Sequence, residues 1–173
     1  MEDKPTKFAD KYRISSSHKT NWDYSTPGLY FVTICTYRHN NFFGRIINHQ
    51  MELSKMGLII NQCLIDIPKH FKNVLINESV IMPNHIHLLL ELTKPNVNSV
   101  ETRHGASLQI TIPKIINQFK SAVTKQINPK TVFFAWQPRY HDIIIKDEKQ
   151  YFTIKNYIKN NVINWEKDKY FEN

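Results

Sequence analysis

The chain has 173 residues, the length of one domain or one domain with a tail, and its 23 Lys and Arg against 15 Asp and Glu leave a formal net charge of +8. That surplus points to a polyanionic partner, nucleic acid ahead of a membrane surface, while 41% hydrophobic and 12% aromatic residues suffice for one packed core. Met1–Lys19 is polar and charged, and no run approaches the roughly 18 apolar residues that span a bilayer, so a soluble, cytoplasmic protein with no membrane partner is expected.

Residues 1–25 scatter Lys4, Lys7, Lys11, Arg13 and Lys19 among Ser and Thr with no helical or strand period, and read as a basic lead-in segment. Pro27-Gly28 marks a turn, after which Leu29–Thr36 is dense in β-branched and aromatic residues and predicts a strand. Phe42, Phe43, Ile46 and Ile47 around Gly44 suggest a second, hairpin-linked strand continuing to Leu53. Ser54 is a candidate N-cap for a helix over Lys55–Phe71, with Met56, Ile59, Ile60, Cys63, Leu64 and Ile67 at helical spacing and Pro68 ending or kinking it. Val74–Met82 and His85–Leu92 read as strands joined by a Pro83-Asn84 turn, and Thr93–Gly105 as a loop.

Ser107–Ile127 is the second helical segment, with Pro113 in its first turn. Val132–Ile145 holds a further strand, Asp147 caps a third helix running to about Ile163, and 164–173 is a charged, aromatic tail. The order is strand, strand, helix, strand, strand, helix, strand, helix. It predicts an α+β domain over 26–163, a ferredoxin-like antiparallel sheet of four to five strands with helices packed on it. Cys35 and Cys63 each sit in an apolar stretch without a partner at metal-ligand spacing, and read as reduced core thiols.

Chemistry concentrates in two places. His85 and His87 flank Ile86 in a strand, so both imidazoles share one face and can hold a divalent cation, while Ile86 anchors the other face. Alone, such a triplet is as readily two half-buried or surface histidines. Tyr157 and Asn161 stand four residues apart on one face of the last helix, where a phenol can attack phosphorus and an amide oxygen can complete a metal's ligand set. Alone, Tyr157 is equally one more core aromatic.

Together the motifs say more. Val80–Leu90 (VIMPNHIHLLL), followed by Trp136-Gln137, Asp147-Glu148-Lys149 and Tyr157-Ile158-Lys159-Asn160-Asn161, resembles the REP-associated tyrosine transposases, relatives of the single-tyrosine HUH transposases. Tyr24–Thr36, Phe119–Lys125 and Trp165–Lys169 are similar too, so the resemblance runs over about 22–170. It implies His85, His87 and Asn161 as metal ligands for Mg²⁺ or Mn²⁺, Tyr157 as nucleophile, and single-stranded DNA beside a hairpin as substrate, handled by a monomer or homodimer. The implied reaction is nicking and rejoining through a 5′-phosphotyrosine. A hairpin-binding module that no longer cuts is the alternative.

Two departures stand out. Where the family carries a histidine after Trp136-Gln137, this chain has Ile143, with His141 two positions earlier on the same strand face. Val162 replaces the proline that commonly follows the Asn-Asn pair. The basic lead-in and Arg103 are the candidate DNA contacts.

Overall fold

The computed structural model describes residues 19, 21–94, 109–127 and 133–171. Its main sheet has four strands: β1 Gly28–Cys35, β4 Val74–Ile81, β5 His85–Leu92 and β6 His141–Ile145. They lie in the order β4-β5-β1-β6 with every neighbouring pair antiparallel. In chain order that is second, third, first, fourth, the ferredoxin-like arrangement. A separate hairpin pairs β2 Gly44–Ile47 with β3 Gln50–Leu53 through Asn48 and His49, whose φ values of 50° and 59° supply the left-handed pair a two-residue turn needs. The single strand expected as far as Leu53 is therefore two short strands outside the main sheet.

Helices cover both faces. Those on one face are α1 Lys55–His70 and α2 Ile112–Ile127; α3 Glu148–Asn160 lies on the other. Alternation along the central strands sorts the side chains between two cores. Tyr30, Val32 and Ile34 of β1 join Ile86, Leu88 and Leu90 of β5 beneath α1 and α2. Phe31 and Leu89 point the opposite way, packing on Ile154 and Ile158 of α3. This is why β5 reads as a nearly unbroken apolar run: a strand at the centre of a sheet covered on both sides has no face left for water.

The caps follow the sequence. Ser54 Oγ accepts from Gly57 N at 3.1 Å to start α1, and Asp147 accepts from Gln150 N at 2.8 Å to start α3. Pro68 stays inside α1, which ends two residues later at His70. α2 begins at Ile112, with Pro113 in the first turn, where a missing N–H costs no helical bond, and the start expected at Ser107 lies outside the described residues. Of the expected strand over Val132–Ile145, the described residues 133–145 form a strand only in β6. Before it, Trp136 makes an isolated bridge to Thr36, and Pro138 followed by Arg139 at φ 70° breaks the extended run. No described helix is long and apolar enough to cross a membrane.

Candidate active site

The β1–β5 register sets Thr33 opposite His87 and Cys35 opposite His85, so these four side chains share the sheet face on which α3 packs. Both imidazoles are buried, at 0% and 1% exposure, and their Nε2 atoms converge at 3.1 Å. The far side of each ring is tied down. His85 Nδ1 donates to Asn84 Oδ1 at 2.8 Å, and the Asn84 amide is oriented by donating from Nδ2 to Tyr170 O at 2.7 Å. His87 Nδ1 lies 2.8 Å from Thr33 Oγ1, a hydroxyl that can accept from or donate to it. His85 therefore keeps its proton on Nδ1 and turns a lone pair toward His87.

α3 brings the phenol to the pair. Tyr157 Oη lies 3.2 Å from His87 Nε2 and donates to Asp168 Oδ2 at 3.0 Å. Asn161, which caps the helix in αR conformation, continues the same face and donates from Nδ2 to the same carboxylate oxygen at 3.1 Å. Tyr170 N holds the other oxygen, Asp168 Oδ1, at 2.8 Å. Tyr157 as a whole is 40% exposed, in contrast to the buried imidazoles.

The electrostatics follow from burial. Desolvation, reinforced by the neighbouring His87, lowers the His85 pKa well below the usual 6.5, and burial takes His87 down to about 4 against the opposing pull of Asp168. Both rings are neutral at physiological pH, the form that binds metal. Tyr157 moves up to about 12, from burial first and then from the Asp168 charge and hydrogen bond, and is a neutral phenol.

The donor set fits a divalent cation. His85, His87 and Asp168 each offer a ligand atom, all within 4.8 Å of one another. Two nitrogens bonded at about 2.1 Å to one ion and at right angles would stand about 3 Å apart, which matches the histidine pair. Asn161 Oδ1 is buried and has no hydrogen-bond partner, an unmet acceptor that a cation would satisfy.

No family model matches the chain. A Haemophilus influenzae protein described as uncharacterized is 36% identical over 179 residues, covering 93% of this chain and 97% of its own. The two belong to one family. A solved REP-associated tyrosine transposase, bound to a REP hairpin, aligns with a TM-score of 0.61 at 17% identity, over 86% of this chain and 74% of its own. This chain has the fold of that transposase.

His85, His87, Tyr157 and Asn161 lie together; spacing alone couples only His85 with His87 and Tyr157 with Asn161, and the resemblance is what implied one cluster. The register also puts His141 opposite Thr33 and Ile143 opposite Phe31, on the sheet face of the histidine pair. Asp168, Asn84 and Thr33 were missed. Thr33 reaches the site only through cross-strand register, and Asp168 through a segment with no periodicity; Asn84, adjacent to His85, was readable only as a turn residue. Tyr151, the next tyrosine on α3, packs with the Phe31 and Leu89 cluster instead. Of the basic candidates, Lys19 lies with its ammonium 4.6 Å over the Trp22 ring, whereas Lys4, Lys7, Lys11, Arg13 and Arg103 fall outside the described residues.

Proposed function

We propose that this chain is a transposase-type enzyme that nicks and rejoins single-stranded DNA beside a hairpin through a covalent link to Tyr157. The observation that carries the reading is the phenol oxygen of a partly exposed tyrosine 3.2 Å from one of two buried, neutral, converging imidazoles. His85 and His87, with Asp168 and Asn161 on the oxygen side, would hold Mg²⁺ or Mn²⁺. A cation there supplies the positive charge that polarises phosphorus and offsets charge developing on the phosphate oxygens.

The chain's own groups account for the rest. Tyr157 Oη attacks phosphorus in line as its proton passes to Asp168 Oδ2, the acceptor it already faces. The bond from phosphorus to the 3′ oxygen breaks, and that oxygen leaves as a hydroxyl by taking a proton from solvent, balancing the one passed to Asp168. The product is a 5′-phosphotyrosine, an ester that keeps the energy of the broken phosphodiester. Attack by another 3′-hydroxyl reverses the step and joins strands without ATP. Asn161 keeps the carboxylate aimed at Tyr157, and Lys19, in the lead-in ahead of the domain, is a proposed phosphate contact.

The test is incubation with labelled single-stranded hairpin DNA from the gene's own flanks, with Mn²⁺ or EDTA, resolved on a denaturing gel. Label shifting to protein size with Mn²⁺, and absent in Tyr157→Phe at unchanged DNA affinity, is the expected result. Cleavage without covalent label would overturn the tyrosine mechanism in favour of water as nucleophile, and binding without either product would leave a hairpin binder that does not cut.

A further inference from the structure

A chain of rings and cations leads outward from the histidine pair. The His85 ring lies 4.7 Å from that of Tyr170 between centroids, and Tyr170 stacks on His39 at 5.4 Å. His39 closes a 3-10 turn, Tyr37–His39, in which Arg38 and His39 both take a left-handed φ of 52°. Side chains of L-residues rarely adopt that conformation, and it persists only where the surroundings hold it. Here Tyr37 N donates to Ala135 O at 2.9 Å and His39 N to Thr36 O at 3.2 Å, while Thr36 N is fixed on Asn84 O at 2.9 Å. The turn is thus braced on the same asparagine that orients His85.

What the turn presents is unusual for a surface. Arg38 lies exposed, its guanidinium carbon 5.2 Å over the Tyr37 ring. Tyr37 meets Phe133 edge to face at 6.0 Å, and Phe133 is 67% exposed. One step inward, the Lys169 ammonium sits 4.5 Å over Tyr170. Apolar side chains scattered singly over a surface need no explanation. Two adjoining rings, Tyr37 under the Arg38 guanidinium and Phe133 beside it, next to the turn that packs against the histidine pair through Tyr170, call for one.

We propose that Tyr37, Arg38 and Phe133 form a stacking platform for unpaired bases of the nucleic-acid strand whose phosphate enters at Tyr157; this rests on the single-strand cleavage reading. Ring faces and the guanidinium plane accept any base, because every base has a π-face, while Arg38 and Lys169 meet the backbone charge. The platform therefore selects for an unstacked strand rather than for a sequence. A fully paired duplex offers it no free base, so it distinguishes a hairpin with a single-stranded extension from a blunt one.

Fluorescence anisotropy in EDTA, with a hairpin carrying an unpaired extension and the same hairpin made blunt, tests this. Phe133→Ala should weaken binding of the extended hairpin about ten-fold, the size of one base-stacking contact, and leave the blunt one within about two-fold. Phe133→Trp should restore it, and Tyr37→Ala, also with the extended hairpin, serves as the second variant. Because Phe133 is exposed, an unchanged melting temperature is expected alongside. Equal losses on both hairpins, no loss on either, or no binding by the unaltered chain would each overturn the platform. Failure of the cleavage reading looks different: extension-dependent binding that responds to Phe133→Ala, with no covalent adduct in Mn²⁺, leaves the platform standing and removes the nuclease.

Discussion

His85 can present a lone pair only because Asn84 fixes the proton on the opposite nitrogen, and Asn84 is itself held by the Tyr170 carbonyl. Outer-shell partners of this kind are typically worth about 10- to 100-fold in metal affinity. Asn84→Ala should therefore weaken Mn²⁺ binding by about that factor in a calorimetric titration while the fold persists. His87 gives a pH dependence of definite sign. Its folded pKa of about 4 lies below the ordinary 6.5, so between those values the unfolded chain takes up a proton that the folded chain refuses. The His87 contribution to the stability of the metal-free protein should be constant above pH 7 and fall as pH drops through that window. The loss attributable to His87 approaches about 3 kcal/mol at the lower end. Urea midpoints in EDTA, compared with His87→Gln, would check this; an unchanged slope in the variant would assign the pH effect elsewhere. The site was half legible. A two-residue step in a strand and a four-residue step in a helix fix relative direction from sequence alone, so His85, His87, Tyr157 and Asn161 could be paired off. Which strand lies beside which is not written locally, so Thr33 stayed invisible. Asp168 sits in an irregular segment, where no period distinguishes one acid from another.

Elements with a local signature were predicted well. β5 matches His85–Leu92 at both ends, bounded by Pro83-Asn84 before it, and the caps at Ser54 and Asp147 are made by the side chains expected to make them. Errors fell where tertiary context decides. The hairpin β2–β3 carries apolar residues that resemble a sheet strand, yet it pairs only with itself. Residues 133–140 look extended because they run beside the end of β1, where Gln137 N donates to Cys35 O at 2.9 Å, without forming a ladder. α1 shows tertiary packing overruling propensity. Ala is the better helix former by about 1 kcal/mol, but a Cβ on Gly57 would collide with the Phe43 carbonyl and crowd Leu53. Gly57→Ala should destabilise the protein by roughly 1–3 kcal/mol, as overpacking does, measured by chemical denaturation; a gain would mean the β2–β3 hairpin can shift away from the helix.

At the scale of the molecule, a net charge of +8 is a statement about partners rather than about fold. Each phosphate neutralised by Lys or Arg releases counterions, so DNA affinity should fall steeply and linearly on a log–log plot against salt. A flat response in a salt titration would detach the basic surplus from DNA binding. Fold class was readable because strand and helix periods alternate along the chain, whereas sheet order needed the structure. One feature of that order reaches further. β5 is bonded along both edges and covered on both faces, whereas Tyr157, Asn161 and Asp168 ride on the end of α3 and on the irregular segment after it. Amide protons of β5 should therefore exchange only through global unfolding, and those around Tyr157 through local opening, which hydrogen exchange followed residue by residue would check. Under the proposed reaction, the two halves of the centre would then open independently, the phenol swinging clear with its covalently held strand while the imidazole pair stays assembled for the next phosphate.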